Sequence, residues 1–169
     1  MGGGLRKIFW FVVAAVTLSF TIGCGDDYCG DSASGIPLVG IYSMGNPPKA
    51  AAIDSLTVYG KDQVNDSILY DTARNVSTFY TPLNITENTV KYVLRYDKKG
   101  IAEQYKFDTL TYVYSKELKF ETPECGAAYT FTIKEFRYTQ HSIVYAELVT
   151  PVVNSISSTT VNIYYASGN

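Results

Sequence analysis

From Thr89 to Tyr96 the chain sets Tyr92, Leu94 and Tyr96 in alternation with Lys91, Val93 and Arg95. A period of two puts alternate side chains on opposite faces of an extended strand, here one apolar face and one mostly polar face. The same period returns at Leu110, Tyr112 and Tyr114, at Leu118 and Phe120, at Tyr129, Phe131 and Ile133, and at Val161, Ile163 and Tyr165. Shorter strand-like runs precede these: Pro37 to Met44, Leu56 to Tyr59, Ser67 to Tyr70 and Val76 to Leu83. Turn residues break the pattern about every 8–12 residues, the spacing of a sandwich or barrel. Beyond the N-terminal segment no stretch holds a helical apolar period over three turns; residues 49–55 and 115–119 have room for one turn of helix at most. These features predict an all-β fold, a single antiparallel β-sandwich of immunoglobulin-like or transthyretin-like kind.

The clearest hairpin starts at Thr89. Asp97-Lys98-Lys99-Gly100 supplies its turn, and the return strand is expected to point Tyr105 and Phe107 inward and Gln104, Lys106 and Asp108 outward. Tyrosine occurs 15 times, most often at alternate strand positions. That suits rings packed inward with hydroxyls reaching the rim; an aromatic ladder stacking sugars is the alternative.

The N-terminus has a different character. Arg6 and Lys7 precede an uncharged apolar run from Ile8 to Phe20. This is the layout of a secretory signal, and it is shorter than the ~20 apolar residues of a spanning helix. Thr21-Ile22-Gly23-Cys24 follows and resembles the lipobox of bacterial lipoproteins, though Thr21 stands where leucine is usual. The resemblance implies cleavage before Cys24 and acylation of that residue. Each buried acyl methylene contributes ~0.8 kcal/mol, and two or more chains give stable anchoring. Asp26 and Asp27 resemble the short acidic export signal of Bacteroidota surface lipoproteins. The expected organisation is a signal peptide over 1–23, a lipidated tether over 24–36 and the sandwich over 37–169.

Removal of the signal leaves 12 basic against 16 acidic side chains. With no basic patch denser than Lys98-Lys99, phosphate neutralisation has little to work with, and nucleic acid is not an expected partner. Lipid on Cys24 would leave Cys29 and Cys125, which are expected to pair in an oxidising compartment; two free thiols are the alternative. The bond would close 97 residues and restrict the unfolded chain by ~4–5 kcal/mol. A metal site from Cys29, Cys125 and His141 would need a fourth ligand that the sequence does not nominate. No cofactor is expected, and no nucleophile motif or phosphate loop appears. His141, the single histidine, reads as a solvated turn residue.

One triplet exceeds chance. Asp-[Ser/Thr]-apolar begins at five of the nine aspartates, placing Ser32, Ser55, Ser67, Thr72 and Thr109 at its centre, where composition would give fewer than one. It resembles the O-glycosylation signal of Bacteroidota periplasmic and surface proteins. Turn geometry offers a physical alternative, an aspartate ending a turn before a strand opens with Ser or Thr. If sugars sit there, the positions must be exposed.

Taken in order, Cys24, Cys29, Leu56 to Gly60, Ser67 to Tyr70, Tyr80 to Asn84, Asp108 to Tyr112, Cys125-Gly126 and Val161 to Tyr164 resemble an uncharacterised family of Bacteroidota lipoproteins, a domain of unknown function. The resemblance implies a compact β domain and favours the Cys29–Cys125 pairing; it implies no catalytic residue. The expected protein is therefore an outer-membrane lipoprotein, surface-exposed or periplasm-facing. Its expected role is a non-catalytic binding or structural module with a protein or glycan partner. The alternatives are an enzyme or accessory subunit acting on glycans and a fimbria-like assembly subunit.

Overall fold

Eleven strands alternate through the computed structural model, which describes residues 35–63, 66–122, 126–154 and 158–166. They are β1 (Leu38–Ser43), β2 (Lys49–Ala50), β3 (Leu56–Lys61), β4 (Ile68–Ala73), β5 (Thr78–Tyr80) and β6 (Thr89–Tyr96). There follow β7 (Phe107–Thr122), β8 (Gly126–Tyr138), β9 (Ile143–Leu148), β10 (Val152–Val153) and β11 (Thr159–Tyr165). They form two sheets. One runs β2-β1-β11-β9 with β5 also on β1, and the other runs β10-β8-β7-β6-β3-β4. Val39, Ile41, Phe79, Val161 and Ile163 of the first sheet share one apolar layer with Leu56, Val58, Leu94, Leu110 and Tyr112 of the second. The expected all-β sandwich is the observed architecture.

The period of two predicts the core faces well. Tyr92, Leu94 and Tyr96 are buried, as are Leu110, Tyr112 and Tyr114, Phe131 and Ile133, and Val161, Ile163 and Tyr165. Some tyrosine hydroxyls end in part-buried contacts with the loop after β5, whereas those of Tyr112, Tyr96 and Tyr165 are bonded inside the core. Tyr114 donates to the carbonyl of Asn84 and accepts from its amide, each at 2.8 Å. Tyr112 accepts from Thr81, and Tyr92 donates to the carbonyl of Pro82. Three rings on β6 and β7 thus satisfy the polar groups of the loop that follows β5, which an apolar core could not do.

Four features depart from the sequence reading. Not every pairing is antiparallel: β1 and β11 run parallel from Leu38↔Thr159 to Ser43↔Tyr165. The first and last strands meet inside one sheet, so that sheet closes only after nearly the whole domain has been threaded, a non-local pairing that costs loop entropy. Residues 115–119 belong to β7 and Lys49–Ala50 to β2, while Glu103–Tyr105 form a 3₁₀ turn. The turn after β6 is longer than the expected four residues, with pairing resuming at Arg95↔Phe107. The return strand is in the opposite phase: Tyr105 and Phe107 are exposed, and Asp108 is fully buried.

Candidate functional site

The reversed phase of Asp108 builds the most distinctive part of the molecule. Its carboxylate lies at the start of β7, where the 139–142 loop folds over it. Oδ1 accepts from Thr139 Oγ1 (2.7 Å) and the His141 amide (3.0 Å). Oδ2 accepts from the amides of Ser142 (2.9 Å) and Ile143 (3.0 Å) and from the Tyr96 hydroxyl (3.1 Å). Five donors thus stand in for the water lost on burial, without which an ionised carboxylate would be too costly to bury. Tyr96 has one hydroxyl hydrogen and gives it to Asp108, so in the 2.9 Å contact between Tyr96 and Tyr165 the donor is Tyr165. Burial first, then the neighbouring Tyr165 and Asp108, push the Tyr96 hydroxyl well above its ordinary value, and burial raises Tyr165 as well.

A cleft of about 730 Å³ opens beside this network at one end of the sandwich. Its walls come from both sheets: Ile41 and Tyr165 from the first, Tyr96 from the second, with Ile53, Ile101 and Val144 closing the sides. Lys98, Lys99, His141, Ser142 and Asp54 are among its lining residues. Gly100 is in the left-handed region (φ 88°) within the lysine-bearing turn, a conformation that other residues adopt only with strain. His141 is half-exposed, and its Nδ1 lies 2.6 Å from the Phe107 carbonyl, so Nδ1 carries the hydrogen and donates it. The volume matches that of pockets holding small organic ligands, typically 300–1,000 Å³ and mostly apolar with a few polar groups.

Several expected sites, namely Cys24, Cys29, Cys125, Asp26, Asp27 and Ser32, lie outside the described residues. The other four triplet positions are spread over the second sheet rather than gathered into one site. Ser55 forms a bend before β3 with φ 59°, and its carbonyl accepts the Asp97 amide at 2.8 Å. Ser67 is exposed just ahead of β4. Thr72 is exposed within β4 at φ 47°, its amide donating to Thr57 Oγ1 at 2.9 Å. Thr109 is half-buried on the outer face of β7, its amide donating to Thr139 Oγ1. Ser55 and Ser67 occupy a turn end just ahead of a strand, as the turn explanation requires; Thr72 and Thr109, each preceded by an aspartate already within its strand, do not.

Among the described residues no group of three or more His, Cys, Asp or Glu side chains could hold a metal. Nor is any helix among them long and apolar enough to cross a membrane. One tyrosine row crosses the outer face of the first sheet: Tyr42, Tyr164 and Tyr145 lie in register on β1, β11 and β9, with ring centroids 5.5 and 5.6 Å apart. The middle ring is only 8% exposed. Its neighbours cover it, which is ring-on-ring packing rather than a flat stacking surface for sugars.

Asp108 escaped the sequence reading because Tyr105 and Phe107 offered a competing apolar alternation. The signal was nonetheless present: counting back in twos from Tyr112 and Leu110 reaches Asp108. Residues 55–165 match the model of a protein family described as a family of unknown function (DUF6452). The match begins just before β3 and leaves out β1, although β1 lies inside the first sheet between β11 and the short strands β2 and β5. No curated protein and no solved structure matches the chain.

Proposed function

Because the chain belongs to the DUF6452 family, whose function is unknown, its role must come from fold and site, and we propose a non-catalytic binding module anchored at the outer membrane. The observation that carries the binding half is the cleft, a concave, largely apolar site bounded by both sheets. The groups around it favour holding over reacting. Asp108 spends both oxygens on five structural donors. Tyr96 and Tyr165 are protonated near neutral pH, and burial pushes their hydroxyls further above the ordinary 10.0. Asp54 is the one carboxylate among the lining residues, whereas glycoside hydrolysis uses two. The assembly-subunit alternative needs a terminal strand free to insert into a neighbour, and β11 is instead hydrogen-bonded between β1 and β9 with Val161 and Ile163 fully buried.

The address rests on the N-terminal sequence. Acyl chains on Cys24 would tether the sandwich to a bacterial outer membrane of the Bacteroidota type, and Asp26-Asp27 would carry it to the cell surface. Cys29 and Cys125 would form the disulfide, and Ser32, Ser55, Ser67, Thr72 and Thr109 would be candidate O-glycosylation positions. Cys24→Ala should move the protein from the membrane to the soluble fraction; retention in the membrane would overturn the anchor. Intact mass of the same sample before and after reduction and alkylation should reveal one disulfide, and two thiols alkylated without reduction would exclude it. Native mass spectrometry of protein drawn from its own membranes tests the binding role. A small molecule that is retained by the wild type and lost when Ala51→Trp fills the cleft is the expected result, and retention by both would place the ligand elsewhere.

A further inference from the structure

The distribution of charge around the cleft says more about its occupant. Lys98, Lys99 and His141 approach it from the loops after β6 and β8, and Asp54 from the segment before β3. Other acids near these loops are already engaged. Glu103 pairs with Lys106, Asp97 pairs with Arg95, and Asp108 is enclosed by its donors. Lys98 and Lys99 have no ion-pair partner among the described residues, and both are exposed. Two adjacent exposed cations therefore stand among the lining residues against one carboxylate, Asp54, on a different segment.

The walls are equally one-sided. Ile41, Ile53, Ile101 and Val144 present aliphatic surface, and the polar tips of Tyr96 and Tyr165 are turned to each other and to Asp108. A ligand here would meet aliphatic side chains together with two exposed lysines on one turn. A neutral sugar would leave its hydroxyls facing aliphatic walls, at the cost of its hydrogen bonds to water. A purely apolar ligand would gain nothing from the lysines. Resting on the binding-module reading, we infer that the cleft takes an amphipathic anion, an aliphatic chain ending in a carboxylate, with the chain between the sheets and the carboxylate at Lys98 and Lys99.

Dodecanoate, dodecanol and acetate test this on the full-length protein in mild detergent below the ligands' own micelle concentrations, with affinities read by calorimetry. Dodecanoate should bind about five- to tenfold more tightly than dodecanol, since exposed charge pairs each contribute only a small factor. Lys98→Gln/Lys99→Gln should erase that difference while leaving dodecanol unchanged, and acetate should bind undetectably. Both lysines are exposed, so the double variant should keep its fold, which a circular dichroism melt checks. Equal affinity for dodecanoate and dodecanol in the wild type would overturn the anionic head group and leave the binding cleft standing. Preference for dodecanoate that survives the double variant would overturn the role of the lysines. Binding of neither long-chain probe would overturn this proposal; the binding module itself falls only if the native protein also carries nothing that Ala51→Trp removes.

Discussion

Strand β7 repeats one pattern along sixteen residues, yet its two halves meet different fates. Leu110 and Tyr112 are fully buried and Tyr114 is 2% exposed, whereas Leu118 is 47% and Phe120 81% exposed on the continuation of the same face. The first half is hydrogen-bonded on both sides, to β6 as far as Thr89↔Val113 and to β8. The second half keeps β8 alone, since β6 begins at Thr89 and β7 has outrun it. Among the described residues its strand partners there are Tyr129 beside Leu118 and Ala127 beside Phe120. An inward-pointing side chain is buried only where another layer lies opposite. Alternation specifies the face, and the extent of the partner sheet specifies the burial.

The largest expected contrast is a titration. Burial is the main cause raising the hydroxyls of Tyr112 and Tyr114, in the covered half of β7, and also those of Tyr92, Tyr96 and Tyr165. Their folded-state pKa lies above the ordinary 10.0, so the stability they contribute is complete below pH 10 and is lost as pH rises beyond it. Tyrosinate absorbance from these five should appear together with cooperative loss of the β-sheet signal. Smooth ionisation of all fifteen tyrosines with the fold intact would contradict the burial.

Next in size, Tyr112→Ala removes a fully buried ring together with the acceptor of the Thr81 hydroxyl, and should cost about 3–5 kcal/mol in urea unfolding. The smallest effect belongs to the far end of the strand. Phe120→Ala should change stability by less than about 0.5 kcal/mol, because that ring is mostly in water already. A cost comparable to that of Tyr112→Ala would mean that Phe120 is covered in solution, and the contrast between the two halves would collapse.

Particular residues mark how far the sequence could be read. The inward faces of β6, β7, β8 and β11 follow from a period of two, a local property of the backbone. Hydrogen-bonded hydroxyls on Tyr92 and Tyr114 follow from the amphipathic ring, whereas the buried Tyr96–Tyr165–Asp108 contacts do not. The phase of Asp108 follows from Leu110 and Tyr112 but not from the hairpin side, because a 3₁₀ turn over Glu103–Tyr105 takes Tyr105 out of the strand. Its burial also depends on donors from the 139–142 loop, more than thirty positions away. The parallel pairing of β1 with β11 was equally hidden, since strand-like runs carry no label for their neighbours.

Sequence alone determined that this chain makes strands, which face of most strands turns inward, and that a cysteine follows an uncharged apolar run near the N-terminus. Tertiary structure alone decided that the first and last strands lie side by side, that half of β7 outruns its cover, and that a cleft opens beside a carboxylate held by five donors. The physical reason is range: side-chain periodicity is fixed by neighbouring peptide units, whereas burial and cavities are fixed by what a distant segment places opposite.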